Sequence, residues 1–79
     1  MGMKDLPLAS GRRIVKVFEV FGWKASPYKN HIVLSHPDKP AGLFISIPDH
    51  KECDRRLLKS ELRKAGISVE DFCKAWNEL

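Results

Sequence analysis

The chain has 79 residues, 43% of them hydrophobic and 30% charged, which suits one small globular unit over 1–79 and leaves no room for a second. No apolar run approaches the roughly 20 residues of a membrane helix, and Met1 to Ser10 is too mixed for a signal peptide, so a cytoplasmic chain without membrane association is expected. The formal charge is +4, and residues 1–34 carry all of it, with six Lys and Arg against Asp5 and Glu19; such a field suits nucleic acid or an acidic protein.

Residues 1–9 read as a loose lead-in containing Pro7. Ser10 can cap a helix that begins at Gly11. Ile14, Val17, Phe18 and Phe21 recur at helical spacing and form its core stripe, with Arg12, Arg13 and Lys16 on the polar side. Gly22 ends this helix as a C′ glycine. Trp23 to Ser26 alternates as a short strand, limited by Pro27.

His31 to His36 is the second expected strand, with Ile32 and Leu34 on one face and His31, Val33 and Ser35 on the other. The turn formers of Pro37 to Gly42 connect it to a third strand, Leu43 to Pro48. There Leu43, Ile45 and Ile47 point one way, and Phe44 and Ser46 the other. The aliphatic faces belong on the core, which puts His31 on the open face or rim of an antiparallel meander.

A second helix is expected from Asp54 to Ala65, with Leu58, Leu62 and Ala65 as its buried stripe and Leu57 beside it. Gly66 closes it, and Ser68 with Asp71 starts a last helix whose apolar face is Val69, Phe72, Trp76 and Leu79. The two cysteines, Cys53 and Cys73, fall within helical patterns, fit no zinc or redox spacing, and read as reduced, buried thiols in preference to a disulfide. The order is helix, three strands, helix and a short extra helix, an α+β arrangement with helices covering one sheet face.

Among the chemically capable residues His31 comes first. Histidine is the common side chain that takes and gives a proton near neutral pH. RNA cleavage needs a base for the ribose 2′-OH and an acid for the leaving 5′ oxygen, while a cation such as Lys29 steadies the phosphate. Taken alone, the pattern favours reading His31 as a solvated residue at a strand start. His50, after Ile47-Pro48-Asp49, is a candidate second proton-transfer group or phosphate contact, or a plain loop residue.

His36, before Pro37, has no assigned role. The three histidines match no metal-ligand spacing, so neither metal nor cofactor is expected. Arg55, Lys59 and Arg63 recur along one helix face, with Arg56 adjacent, and form a candidate phosphate track or a solvated face. Lys24 is a further phosphate candidate. Tyr28 and Phe44 are candidates for stacking on bases, whereas Trp23 is expected to pack behind the first helix.

The run Phe21-Gly22-Trp23, followed by Lys29-Asn30-His31-Ile32-Val33-Leu34-Ser35-His36-Pro37, resembles the HicA-type toxins of bacterial toxin–antitoxin pairs. Ile47-Pro48-Asp49-His50 is similar to the family's Val-Pro-x-His, and Leu57 to Ser68 to its second helix, which closes with Ala-Gly-Ile/Leu-Ser/Thr. The likeness runs from about Ser10 to Phe72.

It implies a double-stranded-RNA-binding-like fold, helix–three-stranded antiparallel sheet–helix. It also implies a metal-independent mRNA interferase, an endoribonuclease with mRNA as substrate, and a HicB-type antitoxin as protein partner. His31 occupies the histidine of the family's Gly-Ser-His, which implies that it is catalytic. Lys29 and Asn30 stand where that motif has glycine and serine. Two other readings of the residues stay open: a non-catalytic RNA-binding module, and an attenuated member acting only as a protein-binding subunit. The compact lysine cluster of double-stranded-RNA binders is not clear here, because Glu52 and Asp54 interrupt the basic residues.

Overall fold

The computed structural model describes residue 6, residues 8–40 and residues 42–79, and the elements follow the expected order. Helix α1 (Gly11–Val20) leads to strands β1 (Lys24–Tyr28), β2 (His31–Ser35) and β3 (Ile45–Pro48), then to helices α2 (Arg55–Ala65) and α3 (Val69–Glu78). The strands form an antiparallel sheet in the order β1-β2-β3. The expected lead-in over 1–9 lies mostly outside the described residues, but Leu6 and Ala9 are buried in the core.

The caps expected at Ser10 and Ser68 form, and Asp54, expected as the first residue of its helix, caps α2 instead. Ser10 Oγ accepts the Arg13 N–H, Asp54 accepts that of Arg56, and Ser68 accepts that of Asp71. Gly22 follows α1 with φ +94°, and a side chain there would also press on the His36 ring, 2.7 Å from the added carbon. Gly66 closes α2 in the left-handed region.

Register places the core. Leu34 pairs with Ile45 and Ile32 with Ile47, so these four share the face covered by the helices; all but the half-buried Ile32 are fully enclosed. Phe18 lies at their centre, edge-on to both Trp23 and Phe72 at 6.2 Å. Trp23 therefore packs behind α1, as expected. On the outer side, the Arg13 guanidinium lies 4.3 Å from the Trp76 ring centroid and ties α1 to α3.

Several details differ from the sequence reading. β1 does not stop at Pro27 but continues to Tyr28. Pro27 opposes Ile32, one step from the pair beside the turn, and there an edge strand's N–H points away from its neighbour. Proline thus costs this ladder no bond. β2 ends at Ser35, because the His36 ring is used to hold the following turn. β3 starts only at Ile45. Cys53 lies ahead of α2 rather than inside a helix, and Leu79 is exposed because the apolar face of α3 is completed by Ala75.

α2 also buries a carboxylate that the pattern did not reveal. Glu61 Oε1 accepts the Ser46 N–H at 3.0 Å and meets Lys64 at 3.2 Å. An edge strand leaves such N–H groups without a partner, and here the helix supplies one. The exposed edge of the sheet is therefore β1.

Candidate active site

The hairpin between β1 and β2 turns on Lys29 and Asn30. Lys29 has φ +56°, the left-handed region that glycine enters without strain and that most other residues avoid. The turn sets Tyr28 directly opposite His31, and the β2–β3 register sets Pro48 on the other side of His31. Side chains paired this way share a face and stand about 5 Å apart at their β-carbons. Tyr28, His31 and Pro48 thus form one row across the open face of the sheet. His31 is exposed, Tyr28 is 61% exposed, and the Lys29 ammonium lies 5.5 Å from the centroid of the Tyr28 ring.

The other end of the open face carries a second row. Lys24 pairs with Ser35, and Phe44, which is 51% exposed, lies just ahead of β3, one residue before Ile45, the partner of Leu34. Ser26, Val33 and Ser46 lie between the rows. No acidic residue occupies these face positions.

His50 lies two residues beyond Pro48, at the His31 end of the sheet. Its carbonyl accepts the Gly11 N–H at 2.9 Å and its ring is exposed. The ladder continues past His31, since the Asp49 N–H donates to the Asn30 carbonyl at 2.9 Å. Arg12 grips the Asp49 carboxylate through Nε at 3.2 Å and a terminal nitrogen at 3.4 Å. Gly11 is required for this docking: a β-carbon there would run into the Pro48 carbonyl.

The basic stripe of α2 belongs to another surface. Lys59 and Arg63 are each two residues, and so about 200° of helix rotation, from Glu61, which faces the β3 edge. Arg55 is on the same flank as they are, and its Nε donates to the Leu6 carbonyl at 2.6 Å. Tyr28, Lys29 and His31 are thus brought together, Lys24 stands at the far end of the same face, and Arg55, Lys59 and Arg63 stand apart.

The sequence reading found no role for His36, and the structure gives it one. Its Nδ1 accepts the Asp38 N–H at 3.0 Å, so Nε2 carries the proton and donates to the Phe21 carbonyl at 3.0 Å. The ring packs against Trp23 at 5.2 Å. Its partners come from α1 and the turn, and nothing in the local sequence announces them. Cys53 is buried and donates to the Pro48 carbonyl at 3.4 Å; burial raises its pKa, the hydrogen bond with the His50 backbone opposes this, and the Asp49 charge adds to it.

A helix, an antiparallel meander with one open face bearing a histidine, and two covering helices define a small α+β protein built to present that face. The family model described as HicA toxin of bacterial toxin-antitoxin matches residues 11–67. The chain belongs to this family, and so to the toxins of toxin–antitoxin systems. No curated protein matches it. Among the described residues, no helix is long and apolar enough to cross a membrane.

Proposed function

We propose that this protein is an endoribonuclease that cleaves mRNA, with His31 as its catalytic residue and a HicB-type antitoxin as the partner that covers it. In the proposed step the ribose 2′ oxygen attacks the neighbouring phosphorus, the new P–O2′ bond forms and the P–O5′ bond breaks. One proton leaves the 2′-OH and one reaches the departing 5′ oxygen. His31 carries one of these transfers, and His50, at the same end of the sheet, is the candidate for the other. Neither transfer calls for a metal or a cofactor.

The observation that carries the reading is the row Tyr28–His31–Pro48 on the open face, with the Lys29 ammonium over Tyr28. A solvent-reached histidine with an adjacent cation and no acidic neighbour on its face suits a phosphodiester. Lys24 and Lys29 contact phosphates along this face, and Arg55, Lys59 and Arg63 offer a separate basic track for RNA leaving it. The cytoplasm, where mRNA is found, is the proposed compartment.

The test is RNA cleavage by purified His31→Ala protein whose fold is checked by thermal unfolding. Loss of cleavage at unchanged stability supports the reading, and undiminished cleavage sinks it. RNA that the wild-type protein binds but leaves whole would make the protein a binding module instead.

A further inference from the structure

Each end of the open face carries an exposed aromatic ring and a lysine, in different arrangements. Tyr28 pairs with His31 and has the Lys29 ammonium 5.5 Å from its ring centroid, while Lys24 pairs with Ser35 and the exposed Phe44 lies one residue ahead of Ile45. His31 and Ser35 are four residues apart on one strand, which sets the rows about 13 Å apart at roughly 3.3 Å per residue. The face between the two ends contains only Ser26, Val33 and Ser46.

We infer that the open face is a track for unpaired RNA, with Tyr28 and Phe44 as two separate base-stacking subsites along β2. The inference rests on the RNA reading above, and it adds the strandedness of the substrate, its direction along the sheet and a minimum length. Each ring offers a face to one base, and the lysine at the same end of the face meets a neighbouring phosphate. Neighbouring nucleotides of one strand rise about 3.4 Å where stacked and farther where splayed, but Tyr28 and Phe44 are separated across β2 as well as along it. A chain therefore reaches from Tyr28 to Phe44 only across intervening nucleotides, and a dinucleotide cannot touch both rings. Bases in a duplex are stacked on one another and cannot open to either ring. The charge of the face selects RNA over an acidic peptide only together with the rings, since base stacking is what two isolated aromatics at such a spacing provide.

The test uses the full-length protein and 2′-O-methylated oligoadenylates of two and eight nucleotides, which lack the attacking hydroxyl. Binding is followed by fluorescence anisotropy. Tyr28→Ala and Phe44→Ala should each weaken octamer binding about tenfold, and together about a hundredfold, because the sites are too far apart to couple. Phe44→Ala should change dinucleotide binding by no more than about twofold, and neither variant should change binding of the octamer in duplex form. Both rings are exposed, so unfolding curves should match the wild type. Octamer binding unchanged by Phe44→Ala, or an equal loss on dinucleotide and octamer, overturns the track. The His31→Ala cleavage assay is independent of these outcomes: either result can fail while the other stands.

Discussion

The Lys29 ammonium lies 5.5 Å from the centre of the Tyr28 ring, and Lys29 reaches that place from a backbone φ of +56°. The turn thus keeps the dihedral region a glycine would use while adding a cation beside His31. A side chain in this region costs roughly 1–2 kcal/mol, partly offset by about 0.5–1 kcal/mol from an exposed cation–π contact. Lys29→Gly should therefore raise the unfolding free energy by up to about 1 kcal/mol in urea titration. The same change should weaken RNA binding and lower the slope of log affinity against log salt by roughly 0.7, as loss of one phosphate contact on a single strand requires. A stability gain with an unchanged salt slope would remove Lys29 from the RNA contacts.

Gly11 joins the N-terminus of α1 to the end of β3. A methyl group there meets the Pro48 carbonyl, which is backbone and cannot step aside cheaply. Gly11→Ala should cost about 1–3 kcal/mol, as overpacking usually does. Because Pro48 is the neighbour of His31, the variant should also lose RNA cleavage below its unfolding temperature. Ala stability equal to wild type would mean that α1 docks differently.

Glu61 is buried and accepts the Ser46 N–H. Glu61→Ala strands that N–H at a covered edge and should cost about 1–3 kcal/mol by urea unfolding. Glu61→Gln keeps a carbonyl acceptor and should cost less. If the two variants are equally destabilised, the charge pair with Lys64 matters more than the edge bond.

The two thiols should react differently. Cys73 is partly exposed, while Cys53 is buried with a raised pKa. A thiol reagent at neutral pH should label Cys73 first and Cys53 only on unfolding. The sign of the pH effect follows from the raised folded value: the unfolded thiol ionises first, so stability from Cys53 is present below the unfolded pKa and lost as pH rises through the folded one. Cys53→Ala should flatten that alkaline loss relative to wild type. Equal labelling rates for the two cysteines in the folded protein would contradict the burial.

Local chemistry explains why much of the fold could be read directly. Ser10, Gly22, Asp54, Gly66 and Ser68 bound helices because each satisfies or ends a backbone ladder within a few residues of itself. Strand alternation likewise sent Leu34, Ile45 and Ile47 inward and His31 outward. Pro27 misled because its effect depends on whether the strand is at an edge, which is a property of the sheet. Glu61 and His36 were missed for the same kind of reason: their partners, Ser46, Phe21 and Asp38, include groups fifteen residues away.

By itself the sequence determined the order of elements, the helix ends, the face of β2 on which His31 stands and, through its motifs, membership of the HicA toxin family confirmed over residues 11–67. These depend on spacing and on caps, which act over one or two turns of chain. Only the tertiary structure decided what surrounds His31: Tyr28 and Pro48 beside it, Lys29 above Tyr28, Lys24 at the far row, and the basic stripe of α2 on another flank. Those neighbours are set by strand register and by helix rotation against the sheet, and both are fixed by packing between segments distant in the chain.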